Sequence, residues 1–330
     1  PTPVGAIRFN TDSSKLEYYD GNQWVNVTSD SPEQNTGGTR GVLFGGGDPG
    51  RDDVIQYIQI ETTGDSIDFG NLAAGNVWGS GAVGSRTRGV FWAGENQYTK
   101  LDFVTFASTG NATSFGTSGN SNNGGSGVNN STRGVFGVAG SNIMEYITIA
   151  SLGNTVDFGD STSTASTRTA PMNSPTRGVL AGGYGPSPYP HPGIIEYITT
   201  STLGNAADFG DLITSISGAS GASNAVRGVV MNGYTFPSPA TVFYNNIEYI
   251  TMATLGNAID FGDMTDAVSQ GSGASSPTRA VSMGGTKAPG DVDVIEYIQI
   301  MSTGNAVDFG NLLSARRGGS GASNGNGGLG

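Results

Sequence analysis

The sequence has no cysteine, one histidine, no long apolar run and few basic residues. Without cysteine, neither disulfides nor thiolate sites are available. No stretch approaches the ~18 apolar residues of a membrane-spanning helix, so we expect no membrane span. The 15 Lys and Arg are outnumbered by 27 Asp and Glu, which gives a net charge of −12. This balance argues against nucleic-acid binding, because the phosphate backbone is bound by a basic face.

Glycine is abundant, with 55 of the 330 residues, and it recurs at fixed places in six similar segments. Each segment runs from an Arg-Gly or Arg-Ala step through an apolar strand to an aromatic strand, a Gly-Asn or Gly-Asp turn and a Phe-Gly step. The arginines of these steps are Arg40, Arg88, Arg133, Arg177, Arg227 and Arg279. The aromatic residues are Tyr57, Phe103, Tyr146, Tyr197, Tyr249 and Tyr297. Successive arginines are 44 to 52 residues apart, and repeats of this length predict the blades of a β-propeller.

The spacing within the repeats separates a rigid part from a variable one. The aromatic residue and the following phenylalanine are 12 residues apart in all six copies, whereas the arginine and the aromatic residue are 13 to 22 apart. A hairpin of fixed register tolerates no insertion, because a slip of one residue turns every side chain to the other face. A surface loop tolerates many insertions. Each repeat therefore contains a rigid hairpin and one free loop.

We predict an all-β protein with a six-bladed β-propeller over residues 39–330, a linker over 31–38 and a small β-hairpin module over 1–30. The blades start near the six arginines. Small-residue segments before each arginine are candidates for a fourth strand, although small residues form strands weakly. The segment Ser320–Asn324 is identical to Ser220–Asn224. We expect it to pack against the first blade and close the ring.

The repeat of arginine, apolar strand, Gly-Gly and tyrosine strand resembles the kelch repeat over residues 39–330. It departs from that pattern where phenylalanine replaces the late tryptophan. The kelch resemblance implies a propeller fold and little about function, because propellers host binding and catalysis alike.

The first thirty residues carry a second resemblance. A strand at Gly5–Thr11, a strand at Lys15–Tyr19 and an Asp20-Gly21 turn before Trp24 are similar to a hairpin module of bacteriophage tail-fibre and other virion proteins. This resemblance implies that residues 1–30 attach the chain to other virion proteins. The alternative is a generic hairpin that caps the propeller.

The six arginines have two interpretations. They could form a ring that binds an anion, as arginines do in sialidase propellers, or each could pair with a carboxylate inside the blades. One copy per blade favours the structural interpretation. The candidate partners are Asp68, Asp157, Asp208, Asp260, Asp308, Glu145, Glu196, Glu248 and Glu296.

Enzymatic chemistry is poorly supported, and we expect no catalytic residues, no metal and no cofactor. A copper oxidase needs several histidines and a cysteine, and the sequence has no Asp-box turns of the sialidase type. A paired-carboxylate hydrolase stays open, because sequence does not reveal the distance between two acids. Acidic loops with Asp48, Asp52 and Asp53, or with Asp291 and Asp293, are more often solvated than occupied by Ca²⁺.

The variable loops contain the candidate binding residues. Prolines stiffen these loops, and aromatic faces can stack on sugars or on protein surfaces. The candidates are Tyr184, Tyr189, His191, Tyr234, Phe236 and Tyr244. They could instead pack on each other or on a neighbouring subunit of a homo-oligomer. Trp78 and Trp92 are expected to pack in the core or between blades.

Taken together, these features favour a bacteriophage virion protein, a tail fibre or receptor-binding component that binds a host glycan or protein non-covalently. A capsid decoration protein and a lectin-like propeller of the bacterial surface are the alternatives. The chain opens Pro1-Thr2-Pro3-Val4 without a signal-like segment. We therefore expect release by host lysis, or export by another route.

Overall fold

The computed structural model describes residues 2–11, 15–26, 39–47, 52–73, 75, 78, 81–94, 97–163, 168–185, 193–235 and 241–329. Its contacts divide the chain into two compact units, residues 1–36 and 37–330. The proposed linker at 31–38 lies wholly outside the described residues. In the described residues, no helix is long and apolar enough to cross a membrane.

The first unit is an antiparallel sheet in which a third strand joins the expected hairpin. Its strands, in spatial order, are β1 (Ile7–Asn10), β2 (Lys15–Tyr19) and β3 (Trp24–Asn26). The turn between β2 and β3 is held by Asp20, whose Oδ1 accepts the backbone N–H groups of Gln23 and Asn22. These two hydrogen bonds hold the pKa of the Asp20 carboxyl below its usual range, because they favour the charged form.

The two faces of this small sheet differ in character. On one face, Arg8 pairs with Glu17 at 2.8 Å and lies over the ring of Trp24, with 4.2 Å between the guanidinium carbon and the ring centroid. The other face is apolar, and its side chains are exposed to solvent. They lie directly opposite one another across β1 and β2. This face consists of Ile7, Phe9, Leu16 and Tyr18, which we call the N-terminal apolar face.

The second unit contains six four-stranded antiparallel sheets, which we number by their arginine strands. Sheet 1 contains β4 (Arg40–Phe44), β5 (Val54–Gln59), β6 (Ile67–Asn71) and β27 (Ser320–Ser323). Sheet 2 contains β7 (Gly81–Gly84), β8 (Arg88–Trp92), β9 (Lys100–Thr105) and β10 (Thr113–Thr117). Sheet 3 contains β11 (Gly127–Asn129), β12 (Arg133–Gly137), β13 (Ile143–Thr148) and β14 (Val156–Asp160).

The remaining three sheets follow the same order along the chain. Sheet 4 contains β15 (Ala170–Asn173), β16 (Arg177–Ala181), β17 (Ile194–Thr199) and β18 (Ala207–Asp211). Sheet 5 contains β19 (Ser220–Ser223), β20 (Arg227–Thr235), β21 (Val242–Thr251) and β22 (Ile259–Asp263). Sheet 6 contains β23 (Ser272–Ser275), β24 (Arg279–Lys287), β25 (Gly290–Gln299) and β26 (Val307–Asn311). A 3₁₀ turn follows at Gly327–Leu329.

The small-residue segments do form the fourth strand of each sheet. These strands contact one another in a cycle, β7 with β11, then β15, β19, β23, β27 and β7 again. Strand β27 pairs with β4, with Ser320 opposite Phe44 and Ser323 opposite Gly41, so the expected packing of this segment on the first repeat is confirmed. The structure thus has one three-stranded sheet in the first unit and six similar four-stranded sheets in the second, and none of the seven sheets is closed. This arrangement is compatible with a β-propeller.

Apolar side chains pack between neighbouring sheets, which explains why the strands are apolar on both faces. Phe44 of sheet 1 stacks on Phe91 of sheet 2 at 5.4 Å between ring centroids. Trp92 of sheet 2 meets Phe136 of sheet 3 edge-on at 5.5 Å. Trp92 is fully buried, as expected for a residue that packs between repeats.

The glycine after each repeat phenylalanine permits a close approach of two backbones. A Cβ atom placed on Gly262 would lie 2.5 Å from the carbonyl oxygen of Gly304, in the turn of the next sheet. The N–H of Gly304 donates to the carbonyl of Phe261 at 2.8 Å. The same contact recurs around the cycle, and Gly310 of sheet 6 meets Gly64 of sheet 1. This need for space explains why the Phe-Gly step is repeated six times.

Candidate functional site

The six repeat arginines join neighbouring sheets. Each guanidinium lies over the aromatic ring of its own sheet, 4.1–4.8 Å from the ring centroid. Each Nη1 also donates to a backbone carbonyl of the following sheet. The acceptors, in chain order of the arginines, are Phe106, Ile149, Thr200, Met252, Ile300 and Ile60. The last of these bonds links sheet 6 to sheet 1.

The prediction that carboxylates pair with these arginines is wrong. Within the described residues, the ion pairs involve other arginines or a lysine. The aspartates of the Asp-Phe-Gly steps, Asp68, Asp157, Asp208, Asp260 and Asp308, are exposed. A ring face and a carbonyl oxygen satisfy the guanidinium instead, since both attract a cation.

The four glutamates of the aromatic strands join their sheets to the preceding ones. They accept hydrogen bonds from the segment after the previous phenylalanine strand. The donors are Ser118 and Asn120 for Glu145, Ser161 and Thr162 for Glu196, Ile213 and Thr214 for Glu248, and Thr265 for Glu296. Desolvation by burial raises the pKa of Glu296, and the negative charges of Asp266 and Asp308 raise it slightly further. The hydrogen bonds from Thr265 oppose this effect by favouring the charged form. The repeated polar residues are thus structural, and a functional site requires residues that break the repeat.

One cavity lies where the small-residue strands of all six sheets begin. Its volume is about 100 Å³. We call it the mouth cavity. Its polar and aromatic lining includes Trp78, Thr169, Arg168 and Gln270, and most of the remaining wall is glycine, serine and alanine. These four side chains, together with Asn123, depart from the small-residue pattern and therefore set the chemistry of the cavity.

A row of four backbone hydrogen bonds supports the cavity wall. It joins residues two or three positions before the small-residue strands, namely Gly124, Arg168, Gly218, Gln270 and Gly318, which we call the collar. From Arg168 onward, the N–H of each member donates to the carbonyl of the previous member, at 2.6 to 3.0 Å. All five have positive φ, between 57° and 93°. The corresponding position of the remaining repeat lies outside the described residues.

Two collar residues adopt a conformation that favours glycine. Arg168 has φ 57° and Gln270 has φ 58°, whereas the three other collar positions are glycine. A non-glycine residue held in a sparsely populated backbone region such as this one costs about 1–3 kcal/mol of folding free energy. Such residues cluster at functional sites. The fold itself accepts glycine there, so the two side chains are the exception that calls for a functional explanation.

Arg168 is held in place by Tyr234. Its Nη1 donates to the Tyr234 hydroxyl at 2.8 Å. Tyr234 is only 1% exposed, and its ring packs under the collar, because a Cβ placed on Gly218 would lie 2.7 Å from Cε1 of that ring. In the part of the chain that the structure describes, no carboxylate forms an ion pair with Arg168. Among the described residues, the site thus contains a positioned cation without a counterion.

The other lining residues add a ring and hydrogen-bonding atoms. Trp78 packs on Gly318, and the guanidinium carbon of Arg317 lies 5.2 Å from its ring centroid. Thr169 is 6% exposed, and its Oγ1 has no hydrogen-bond partner among the described residues; the same holds for Oε1 of Gln270. Buried polar atoms are normally satisfied. The cavity therefore offers a cation, an aromatic ring and two unsatisfied polar atoms.

The sequence candidates in the loops have different outcomes. Tyr189, His191 and Phe236 lie outside the described residues. Tyr184 and Tyr244 are half-buried, and Tyr244 packs against the core that contains Tyr197. A ligand-binding role of these two residues stays a prediction.

Tyr234, by contrast, is in the interior, where its ring cannot stack on a receptor. It lies in the hairpin of β20 and β21, opposite Phe243. Its contribution to the candidate site is indirect, through the hydrogen bond to Arg168.

Sequence reasoning missed Arg168 and Gln270, and it assigned Trp78 to packing. A signal was present in the repeat itself. Aligned on the small-residue strands, Arg168 and Gln270 stand where the four other repeats have glycine. The predicted site residues came from the shared pattern and the variable loops, whereas these two residues stand out only where the repeats differ.

The acidic loops that could have held Ca²⁺ are occupied by arginines in the described residues. Asp52 pairs with Arg316 at 3.0 Å, and Asp291 pairs with Arg317 at 3.2 Å. Burial lowers the pKa of Arg316, and the neighbouring Asp52 opposes this effect. No group of three or more His, Cys, Asp or Glu that could hold a metal occurs in the described residues, and Asp48 lies outside them.

No protein-family model and no curated protein matches this sequence.

Proposed function

We propose that this protein is a bacteriophage virion component, an adhesin of the tail-fibre type that acts by non-covalent binding. In this proposal a six-bladed, kelch-like β-propeller is attached to the particle by the N-terminal module. The mouth cavity and the loops around it bind a host surface glycan or protein. The proposed location is the virion, with release by host lysis.

The observation that carries the attachment role is the N-terminal apolar face. Ile7 is 67% exposed and Phe9 is 61% exposed, and Leu16 and Tyr18 complete a contiguous patch. Exposed apolar patches on small domains mark interaction sites. A three-stranded sheet that leaves its apolar face uncovered needs a partner surface, and a virion protein is the partner proposed here.

The cyclic contacts of unit 2 support six blades in one ring. Sheets 6 and 1 make the same two contacts as the other neighbouring sheets. Arg279 donates to the carbonyl of Ile60, and Gly310 lies close to the backbone of Gly64. A binding function needs a rigid scaffold that presents a site at one end. Propellers supply this arrangement without any cofactor.

The proposal is tested on purified phage particles with an antibody raised against residues 39–330. Label at the tail or fibre tips is the expected result. Label over the head would indicate a decoration protein instead. An absence of label from all particles would contradict the virion role and favour a lectin-like propeller of the bacterial surface.

Matched variants test the attachment surface. Phe9→Ser and Leu16→Ser place hydroxyl groups on the apolar face, so particles assembled with these variants should carry much less of the protein. Gln23→Ser, in the exposed turn of the same sheet, should be incorporated normally. Equal incorporation of all three variants, with unchanged circular dichroism, would contradict attachment through this face.

A further inference from the structure

We propose that the mouth cavity binds the carboxylate of a hexuronate, an acidic sugar, with Arg168 as the residue that recognises the anion. This inference rests on the proposed binding function and names the class of ligand. It starts from the two collar residues that occupy glycine-type backbone conformations.

The first argument concerns charge. A guanidinium matches the planar, two-oxygen geometry of a carboxylate. Arg168 lines the cavity, is held by Tyr234, and has no ion-pair partner among the described residues. Unlike the six repeat arginines, which are satisfied by an aromatic ring and a backbone carbonyl, Arg168 lines a cavity, and this placement indicates an anionic ligand.

The second argument concerns the neighbouring groups. The unsatisfied Oγ1 of Thr169 and Oε1 of Gln270 can bond to sugar hydroxyls, and both residues line the same cavity. The ring of Trp78 offers a face for the apolar side of a pyranose. A simple inorganic anion would need neither the ring nor a hydrogen-bond acceptor.

The third argument concerns size. A cavity of about 100 Å³ that is partly open to solvent has no room for several sugar residues. This space suits a single hexuronate residue rather than an extended oligosaccharide. The ligand can be a free hexuronate or one such residue at the end of a host polysaccharide.

The collar provides a variant that separates binding from folding. Arg168→Gly introduces the residue that other repeats have at this position, and it relieves the left-handed strain. We therefore expect the melting temperature to stay the same or to rise. Binding should weaken by about 10- to 100-fold, as expected for a lost hydrogen bond to a charged group.

The experiment measures binding of glucuronate and galacturonate to the full chain by calorimetry and by ligand-observed NMR. Glucose and glucuronate methyl ester serve as neutral controls, acetate as a carboxylate without a ring, and a uronate-terminated oligosaccharide as the glycan arm. The expected result is binding of a hexuronate, weak binding of acetate and of the neutral sugars, and a large loss in Arg168→Gly. Arg168→Lys, which keeps the charge, should lose less.

Two outcomes would overturn the inference. One is the absence of hexuronate binding to the unaltered chain; the other is equal binding by Arg168→Gly and by the unaltered chain. Tighter binding of the oligosaccharide than of the free sugar would identify a glycan end as the source. The labelling of phage particles does not depend on this cavity, so failure here leaves the virion proposal standing.

Discussion

The contact between each Phe-Gly glycine and the turn of the next sheet leads to a matched pair of substitutions in sheet 5. Gly262 and Gly256 have similar backbone conformations, with φ 146° and φ 152°. An alanine at either position carries the same backbone strain, about 1–3 kcal/mol. Their surroundings differ, because a Cβ on Gly256 meets nothing within 4 Å, whereas a Cβ on Gly262 overlaps the carbonyl of Gly304.

The additional cost of Gly262→Ala can be worked out from this overlap. Backbone displacement by an inserted methyl group costs about 1–3 kcal/mol. The shift also disturbs the hydrogen bond from Gly304 to Phe261, which contributes about 0.5–1.5 kcal/mol. We therefore expect Gly262→Ala to lower the free energy of unfolding by about 1.5–4.5 kcal/mol more than Gly256→Ala does.

Urea denaturation followed by intrinsic fluorescence measures the difference. Both variants should show the far-UV circular dichroism of the unaltered chain, which checks that the sheets still form. Equal midpoints with equal slopes would refute the reasoning, because the strain common to both variants would then account for the whole effect and the sheet-to-sheet contact for none of it.

Two further predictions concern the polar contacts between sheets. Arg177→Met removes both the cation over Tyr197 and the donor to the Met252 carbonyl, so denaturation should show a loss of about 2–4 kcal/mol, with a smaller loss for Arg177→Lys. Equal losses would mean that the cation itself contributes nothing. Burial raises the pKa of Glu296 above its ordinary value of 4.5, so the folded chain binds that proton more readily than the unfolded chain. As the pH falls through the raised pKa, the unaltered chain should gain stability relative to Glu296→Gln, and the gain should be complete below 4.5. A difference that stays constant from neutral pH to about pH 4 would contradict this assignment.

The rigid hairpins could be predicted from sequence because their chemistry is local. The 12 residues between Tyr197 and Phe209 fix one turn and one register, and the two rings meet edge-on at 6.0 Å. The weak strand-forming residues of β19 and β23 could not be assigned with the same assurance. Their strand conformation depends on neighbours that are distant in sequence, such as β20 and the adjoining small-residue strands.

Neither the partners of the repeat arginines nor the mouth cavity could be predicted from sequence, because both depend on contacts between different repeats. An arginine such as Arg227 donates to a carbonyl of the next repeat, and no sequence spacing reveals a backbone acceptor. Tyr234 was expected on a loop surface, yet β20 extends to Thr235 and draws the ring into the interior. The cavity combines single residues from different repeats, so it becomes visible only when the sheets are assembled.

The pairing of β27 with β4 has a consequence for synthesis in the cell. Sheet 1 combines residues 40–71 with residues 320–323, so its β4 edge lacks a partner until residues 320–323 have left the ribosome. Long-range pairings of this kind form late and slowly, and an unpaired strand edge invites association. During that interval, the β27 segment of a second nascent chain competes for the same edge. The contact that joins β27 to β4 is also the point at which two chains could exchange strands.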